Sequence, residues 1–302
     1  MPVKVSVCDV GPRDGLQNES RVLAPEVRAE LCARLAAAGL QRIEAVSFVR
    51  DDRVPAMAGA EAVLEAVDKT GGVRWAGLVL NERGYARAVE AGVDEIRYGL
   101  PVTAAFAERN QRTTVDAALD LGLELVNRAR HDGIRCTVSL AVAFGCPFEG
   151  AVQAETVLGI AEKVLAAGPD ELILADSIGV GVPRQVRVLV GELVEPGRIV
   201  GCHFHNTRNT GYANALAAVE AGATVLDSSV GGLGGCPFAP GATGNIATED
   251  LVYLLEGMGY DTGVDLNDLR SCSRWLAEQV GHELPSLVAR AGDPCGVASS
   301  AS

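Results

Sequence analysis

A short pattern recurs along this 302-residue chain and limits its fold more than any other feature. An alanine-rich helical segment ends in Ala-Gly or a similar pair, a short linker follows, and then comes an apolar run. Clear copies are AAAGLQRIEAVSF (36–48), AVEAGVDEIRYGL (88–100), LAAGPDELILADS (165–177) and AVEAGATVLDSSV (218–230). Glycine is a favoured helix C-cap, and apolar, β-branched runs are typical of strands covered on both faces. The pattern therefore indicates helices that alternate with buried parallel strands.

The alternation continues between these copies and gives eight strand-then-helix units. We expect strands at 3–9, 41–48, 74–80, 95–101, 134–142, 171–176, 199–205 and 224–230. We expect helices at about 25–38, 59–69, 83–91, 112–131, 153–167, 183–193, 210–221 and 247–258. Eight such units predict an α/β fold, a closed (β/α)₈ TIM barrel. An open doubly wound sheet fits less well, because its dinucleotide fingerprint is missing after the first strand.

The chain is expected to form one domain over residues 1–302, with the barrel at about 3–260 and a helical tail at about 265–290. The net charge is −13 without any Lys/Arg cluster, which argues against nucleic-acid binding. No apolar run reaches the roughly 18 residues of a membrane span. A strand begins almost at the first residue, so we expect no signal peptide. With eight cysteines and no CxxC pair, we predict a reduced, cytoplasmic protein.

Unusual polar residues follow the strands at their carboxyl ends, where barrel active sites lie. DVGPRDGLQNE (9–19) leaves the first strand, Glu44 lies in the second, and ADSIG (175–179) ends the sixth. HFHN (203–206) ends the seventh strand, and the glycine-rich VGGLGGCPFAPGATGN (230–245) follows the eighth. Polar groups from five strand ends therefore converge on one mouth of the barrel.

Two histidines give the sharpest indication of chemistry. His203 and His205 are two positions apart on a strand, so their side chains point to the same face. Asp14 on the adjoining first strand can add a carboxylate, and Asn245 can add a carbonyl oxygen. Imidazoles beside oxygen ligands make a divalent-metal site, and the ligand types alone favour Mn²⁺, Co²⁺ or Zn²⁺ over Mg²⁺. The alternative is that one histidine is only a hydrogen-bonded structural residue.

Arg13 precedes Asp14 directly, at the end of the first strand. A guanidinium is always charged and forks toward oxyanions, and Glu44 on the next strand could hold it in place. A structural ion pair at the barrel mouth is the other interpretation.

Cys236 differs from the cysteines that read as small buried hydrophobes, because it lies in a glycine-rich loop beside the expected site. Its thiol could act as nucleophile or as general acid. A nucleophile needs a partner base, and both histidines are assigned to metal, which favours the acid. Glycines would let this loop close over a ligand.

Several motifs together resemble a known family. GPRDGLQNE, IEAVSFV, GCPFEG, DSIGVGVP, HFHN, DSSVGGLGGCPFAPGATGN and ATEDLVYLLEGMG are similar to those of 3-hydroxy-3-methylglutaryl-CoA (HMG-CoA) lyases, members of the DRE-TIM metallolyases. The resemblance spans about residues 3–270. It implies a (β/α)₈ barrel and retro-Claisen cleavage of a 3-hydroxy-3-methylacyl-CoA, in the archetype to acetyl-CoA and acetoacetate in leucine degradation. It also implies Mg²⁺ or Mn²⁺ as cofactor.

The resemblance assigns a role to each site residue. The metal ligands it implies are Asp14, His203, His205 and Asn245, the set that the strand pattern also indicates. Catalytic roles fall to Arg13, Asp14, Glu44, His203 and Cys236. Arg13 would stabilise the enolate-like oxygen of the acetyl-CoA fragment, and Glu44 would position it. Cys236 would protonate the carbanion, while the 3-hydroxyl proton would pass to His203 or Asp14.

We expect Arg13, Gln17, Asp176 and Arg208 to bind substrate, and the resemblance implies that Asp176 also orients the metal cluster. The chain departs from the family at Ser20, where a basic residue is common, and around Arg208, which could contact an acyl carboxylate or a CoA phosphate. A relative that acts on another acyl group, such as citramalyl-CoA, is therefore an alternative.

A Claisen-type synthase is a further alternative, although such chains are usually longer and lack the cysteine of GGCP. A non-catalytic binding protein on the same barrel is disfavoured by the complete set of site residues. We expect an acyl-CoA as the small-molecule partner, no nucleic-acid or membrane partner, and a homodimer or larger homo-oligomer.

Overall fold

The computed structural model describes residues 3–235 and 244–291. Eight parallel strands pair in chain order, and the last closes on the first. They are β1 Ser6–Asp9, β2 Arg42–Ser47, β3 Arg74–Val79, β4 Glu95–Pro101, β5 Arg135–Ala141, β6 Glu171–Asp176, β7 Val200–Phe204 and β8 Val225–Ser228. The predicted closed (β/α)₈ barrel is confirmed, and the open doubly wound sheet is wrong for this chain.

Helices lie between the strands and after β8. They are α1 Pro25–Ala37, α2 Ala60–Ala66, α3 Glu82–Ala91, α4 Ala104–Gln111, α5 Val115–Asp132, α6 Ala154–Ala167, α7 Pro183–Leu193, α8 Gly211–Glu220, α9 Thr248–Gly257, α10 Leu266–Val280 and α11 Leu287–Ala291. Short turns of helix add Gly11–Gly15, Pro55–Met57 and Val230–Gly232. In the parts of the chain that are described, no helix is both long and apolar enough to cross a membrane.

Two helix predictions need correction. The helix predicted at 112–131 is preceded by a separate helix, α4, which ends where Arg112 adopts a left-handed conformation with φ of 55°. The side chain of Thr114 then caps α5 by accepting a hydrogen bond from the Ala117 N–H at 3.1 Å. The predicted continuous tail is two helices, because Gly281 ends α10 with φ of 84°. Local capping chemistry sets both breaks.

The apolar core lies between the strands and the helices, whereas the barrel interior carries charged side chains. Barrel interiors are usually filled by branched apolar residues. Here Arg42 pairs with Glu95 at 2.7 Å and with Glu171 at 2.9 Å. We call Arg42, Glu95 and Glu171 the lower ionic layer, because they lie toward the amino ends of β2, β4 and β6.

A second set of charges lies two residues further along the strands, closer to the mouth. Arg97 on β4 contacts Glu44 on β2 and Asp227 on β8. All three side chains are at most 3% exposed. We call Arg97, Glu44 and Asp227 the upper ionic layer. It forms the floor on which the polar groups of the mouth rest.

Candidate active site

A cavity of about 670 Å³ opens at the carboxyl ends of the strands. It contains most of the predicted site residues and the upper ionic layer. Among its lining residues are Arg13, Asp14, Gln17, Glu44, Arg97, His203, His205, Asp227 and Gly235. The structure therefore brings these predicted residues together in one cavity at the expected end of the barrel.

Asp14, His203 and His205 form a compact cluster in this cavity. Their potential ligand atoms all lie within 4.8 Å of one another. Nε2 of His205 is 3.9 Å from Oδ2 of Asp14, and the two imidazole centroids are 5.2 Å apart. Two imidazoles and a carboxylate at this spacing can hold a divalent metal ion.

Asn245 completes the arrangement. Its Nδ2 donates hydrogen bonds to Oδ2 of Asp14 at 2.9 Å and to the Leu233 carbonyl at 3.0 Å. Its Oδ1 is buried and accepts no hydrogen bond from any described residue. Since buried polar atoms normally have a partner, an unpartnered acceptor beside Asp14 fits a cation, and the four residues suit a divalent metal.

The local backbone explains why these four residues meet. Asp14 lies in the helical turn Gly11–Gly15 directly after β1, where its N–H bonds to the Val10 carbonyl at 2.7 Å. A Cβ at Gly15 would lie 2.7 Å from Oγ of Ser229, so the turn can pack this closely only with glycine. Asn245 forms a bridge with His205, which brings the far end of the glycine-rich segment beside β7.

Arg13 is fixed by two carboxylates. Its Nε donates to Oε1 of Glu44 and its Nη1 donates to Oδ1 of Asp14, each at 2.7 Å. Its Nη2 has no hydrogen bond to a described residue, and the side chain is 13% exposed at the cavity. Burial disfavours the Asp14 carboxylate, but Arg13 and the two histidines hold its pKa well below the usual range. Arg13 can therefore point one free donor at a ligand.

Arg97 and Asp227 line the cavity beside His203 and were not predicted from the sequence. Oδ2 of Asp227 lies 3.3 Å from Nδ1 of His203, and both Asp227 oxygens accept from Nη2 of Arg97, at 2.9 and 2.7 Å. Burial opposes ionisation of Asp227, but Arg97 lowers its pKa to about 2. The contact directs Nδ1 of His203 to Asp227 and leaves Nε2 for a ligand. The sequence feature that could have indicated them is a charged residue within a buried strand.

Two predicted substrate-binding residues, Asp176 and Arg208, are not among the residues that line this cavity. Asp176 is fully buried, and its two oxygens accept from the N–H groups of Val180 and Gly181, each at 2.9 Å. Arg208 is exposed, and its Nη1 donates to the carbonyls of Ile178 and Gly179, each at 3.0 Å. Neither side chain lines the cavity, since both support the loop after β6.

Cys236 lies outside the described residues. The residue before it, Gly235, lines the cavity, and its carbonyl accepts a hydrogen bond from Asn18 at 2.8 Å. The six described cysteines are buried free thiols. Burial raises the pKa of Cys32 and of Cys136 to about 12, so these thiols suit packing rather than proton transfer.

The barrel and this cluster define the class of protein, a (β/α)₈ barrel whose strand ends carry an Asp–His–His cluster that could hold a divalent metal ion. Within that class the chain belongs to the HMGL-like family, whose model matches residues 4–276. Members of this family catalyse acyl-CoA carbon–carbon cleavage, and the chain is a carbon–carbon lyase.

Relatives and solved structures agree with this family. The (R)-citramalyl-CoA lyase of Chloroflexus aurantiacus is 44% identical over 301 residues, which cover 95% of each chain. A hydroxymethylglutaryl-CoA lyase of Bacillus subtilis is 39% identical over 287 residues, covering 94% of this chain and 96% of that protein. The crystal structure of the HMG-CoA lyase of Bacillus subtilis has a TM-score of 0.92 at 38% identity, and the match covers 96% of this chain and 99% of that one. The structure of the HMG-CoA lyase of Acinetobacter baumannii in complex with coenzyme A and 3-methylmalate has a TM-score of 0.91 at 37% identity. This match covers 98% of this chain and 97% of that one.

Proposed function

We propose that this protein cleaves 3-hydroxy-3-methylglutaryl-CoA to acetyl-CoA and acetoacetate. The observation that carries the proposal is the free Nη2 of Arg13 beside the Asp14–His203–His205 cluster. This pairs an oxyanion donor with a divalent-metal site in one cavity. The HMG-CoA lyase relatives and the relative solved with coenzyme A support an acyl-CoA substrate. This reaction would place the enzyme in leucine degradation.

The reaction breaks the C2–C3 bond of the substrate. The 3-hydroxyl loses its proton and becomes the ketone of acetoacetate, while the bond electrons move to C2 and form the enolate of acetyl-CoA. A proton added to C2 then gives the methyl group, so no other reactant is consumed. The protein must therefore supply a base for the hydroxyl, a donor for the enolate oxygen and an acid for C2.

Arg13 is the donor in this proposal. With Nε on Glu44 and Nη1 on Asp14, its guanidinium is oriented before substrate binds. Nη2 can then donate to the thioester oxygen, which becomes more negative as the C2–C3 bond breaks. A preorganised donor of this kind stabilises the transition state more than the ground state.

The base is His203 or Asp14. Asp227 accepts from Nδ1 of His203 and would stabilise a protonated ring, which favours His203. The acid is Cys236, because Gly235 lines the cavity and none of the six described cysteines does. Gln17 lines the same cavity and would contact the substrate.

Asp14, His203, His205 and Asn245 would hold the metal, which we propose is Mg²⁺ or Mn²⁺. A divalent cation bound there would supply Lewis-acid polarisation of the substrate. The mixed nitrogen and oxygen donors suit Mn²⁺ well.

Citramalyl-CoA is a second candidate substrate, because the relative with the highest identity among those compared above is a citramalyl-CoA lyase. The two substrates share the 3-hydroxy-3-methyl centre and the thioester and differ by one methylene before the carboxylate. The same residues would cleave citramalyl-CoA to acetyl-CoA and pyruvate.

A panel of 3-hydroxyacyl-CoA thioesters tests the proposal. Acetyl-CoA release would be assayed with Mg²⁺ and with Mn²⁺, and the keto acid identified for each ester. We expect the highest kcat/KM for HMG-CoA, with acetoacetate as co-product. Preference for citramalyl-CoA would establish the second candidate, and failure to release acetyl-CoA from any ester would refute the proposed reaction.

We also propose a reducing compartment, the cytoplasm, because the six described cysteines are free thiols. The homo-oligomer stays a prediction, which light scattering of the purified protein would check.

A further inference from the structure

We propose that Arg97 is a positioning residue that sets the orientation of both Arg13 and His203. The inference rests on the proposed function for the roles of those two residues. Although Arg97 lines the cavity, only 3% of its side chain is exposed, and we assign it no contact with the substrate or the metal. It would act through Glu44 and Asp227, the two carboxylates that it holds.

The contacts form two branches from one guanidinium. On one side Nη1 of Arg97 lies 3.3 Å from Oε2 of Glu44, whose Oε1 accepts from Nε of Arg13 at 2.7 Å. On the other side Nη2 donates to both oxygens of Asp227, and Oδ2 of Asp227 faces Nδ1 of His203 at 3.3 Å. Arg97 is therefore linked through one carboxylate to Arg13, the proposed oxyanion donor, and through another to His203, a proposed metal ligand.

Charge makes this arrangement sensitive to Arg97. Glu44 and Asp227 are 2–3% exposed, so water cannot stabilise them as carboxylates. Arg97 is the cation that contacts both, and it is equally buried. Without it the two carboxylates would repel each other or reorient, and the partners they hold would move with them. A displacement of a fraction of an ångström at a catalytic donor is costly.

The planar fork matters as well as the charge. Arg97 reaches two carboxylates on different strands, and it also donates to Sγ of Cys8 at 3.2 Å. A lysine ammonium is a point charge on a flexible stem and cannot reproduce these directions. Arg97→Lys should therefore retain the charge balance and lose the positioning.

The lower ionic layer provides a matched control. Arg42 is also buried in the barrel and also binds two carboxylates, Glu95 and Glu171. It makes no hydrogen bond to a described residue that lines the cavity. Arg42→Lys thus disturbs an equivalent buried ion cluster without touching Arg13 or His203.

The experiment compares Arg97→Lys and Arg42→Lys in the full-length chain after metal is removed by chelation. Mn²⁺ affinity is measured by titration calorimetry, kcat and KM by acetyl-CoA release, and stability by the unfolding midpoint. We expect Arg97→Lys to weaken Mn²⁺ binding and lower kcat by about 10-fold or more, the usual range for groups that support metal ligands. KM should change little. Arg42→Lys should keep both values within about twofold, even at an equal loss of stability.

Wild-type Mn²⁺ affinity and kcat in Arg97→Lys would overturn the inference, as would equal losses in Arg42→Lys. Arg97→Gln, which removes the cation, is the second variant should Arg97→Lys not fold, and we expect a larger loss in it. If the wild-type protein cleaves none of the esters, the proposed function fails, whereas the Mn²⁺ affinities of the variants still test Arg97.

Discussion

The two ionic layers inside the barrel use the same chemistry but have different neighbours. Each has one arginine that bridges two carboxylates from other strands, with side chains at most 3% exposed. The lower layer contacts only structural neighbours, among them Thr137, whose hydroxyl donates to Glu95 at 2.8 Å. The upper layer reaches Arg13 and His203. Position along the strand, rather than residue type, therefore decides which of the two ion clusters contacts the candidate site, and we propose that only this cluster supports it.

Metal removal should have the largest effect on activity, because the upper layer adjoins the Asp14–His203–His205 cluster and the lower layer does not. We expect chelation with EDTA to abolish acetyl-CoA release and added Mn²⁺ or Mg²⁺ to restore it. The unfolding midpoint should change far less than activity. Full activity in enzyme shown by elemental analysis to be free of metal would contradict the metal site.

Arg13→Gln should lower kcat by about 10²–10³-fold, the usual effect of removing one oxyanion donor. Glutamine keeps a polar side chain, so the fold should be retained. Steady-state kinetics with HMG-CoA measure the effect, and circular dichroism checks the fold. A kcat within a factor of a few of wild type would exclude Arg13 as the donor.

Arg42→Met should show the reverse of Arg13→Gln: a loss of stability with kcat almost unchanged. It removes the one cation that binds both Glu95 and Glu171, and loss of a buried ion-pair partner destabilises a protein by about 3–5 kcal/mol. At a temperature where the variant is folded, kcat should stay close to wild type. Chemical denaturation gives the free energy of unfolding. A loss of kcat without a loss of stability would remove the distinction between the layers.

A smaller effect is the pH dependence of stability that arises from Glu249, which contacts the start of the glycine-rich segment. Both oxygens of Glu249 face the Gly231 N–H, at 3.0 and 2.9 Å, and burial raises the pKa of Glu249 to about 8. The folded state thus binds a proton that the unfolded state releases near pH 4.5. The resulting stability is fully present below that pH and is lost as pH rises through about 8. Glu249→Gln should make the unfolding midpoint less dependent on pH between 5 and 9, by a few °C. An unchanged slope in the variant would assign the dependence to other groups.

Arg208→Ala should change kcat and KM by less than about twofold, because Arg208 binds backbone carbonyls of the loop after β6 and does not line the cavity. Arg187→Ala, another exposed arginine, is the control. A clear rise in KM for Arg208→Ala alone would restore it as a substrate contact.

The sequence predicted those parts of the site that depend on local order. Helix–glycine–strand repeats indicated the barrel, and the two-residue spacing of His203 and His205 placed both rings on one face. Asp14 and Asn245 could be assigned because the ends of strands in a barrel meet at one mouth. These inferences need only the strand period and the closure of the sheet.

The remaining features depend on partners distant in sequence. Arg97 and Asp227 are 130 residues apart, and no local pattern indicates that they pair. Asp176 reads as a strand-end carboxylate, but the strand alternation turns it away from the cavity, onto Val180 and Gly181. Arg208 reads as a free cation, but its guanidinium is bound by loop carbonyls. Side-chain direction and ion-pair choice come from packing.

A double-mutant cycle between Arg97 and Arg13 tests most directly whether the upper layer serves the site. The kcat values of Arg97→Lys, Arg13→Gln and the double variant would be measured with HMG-CoA, beside the same cycle with Arg42→Lys. If Arg97 acts partly through Arg13, the double variant should lose less than the product of the two single losses, because only the His203 branch of the Arg97 effect remains, whereas the Arg42 cycle should be additive. Additive losses in both cycles would contradict the coupling of the upper layer to the active site.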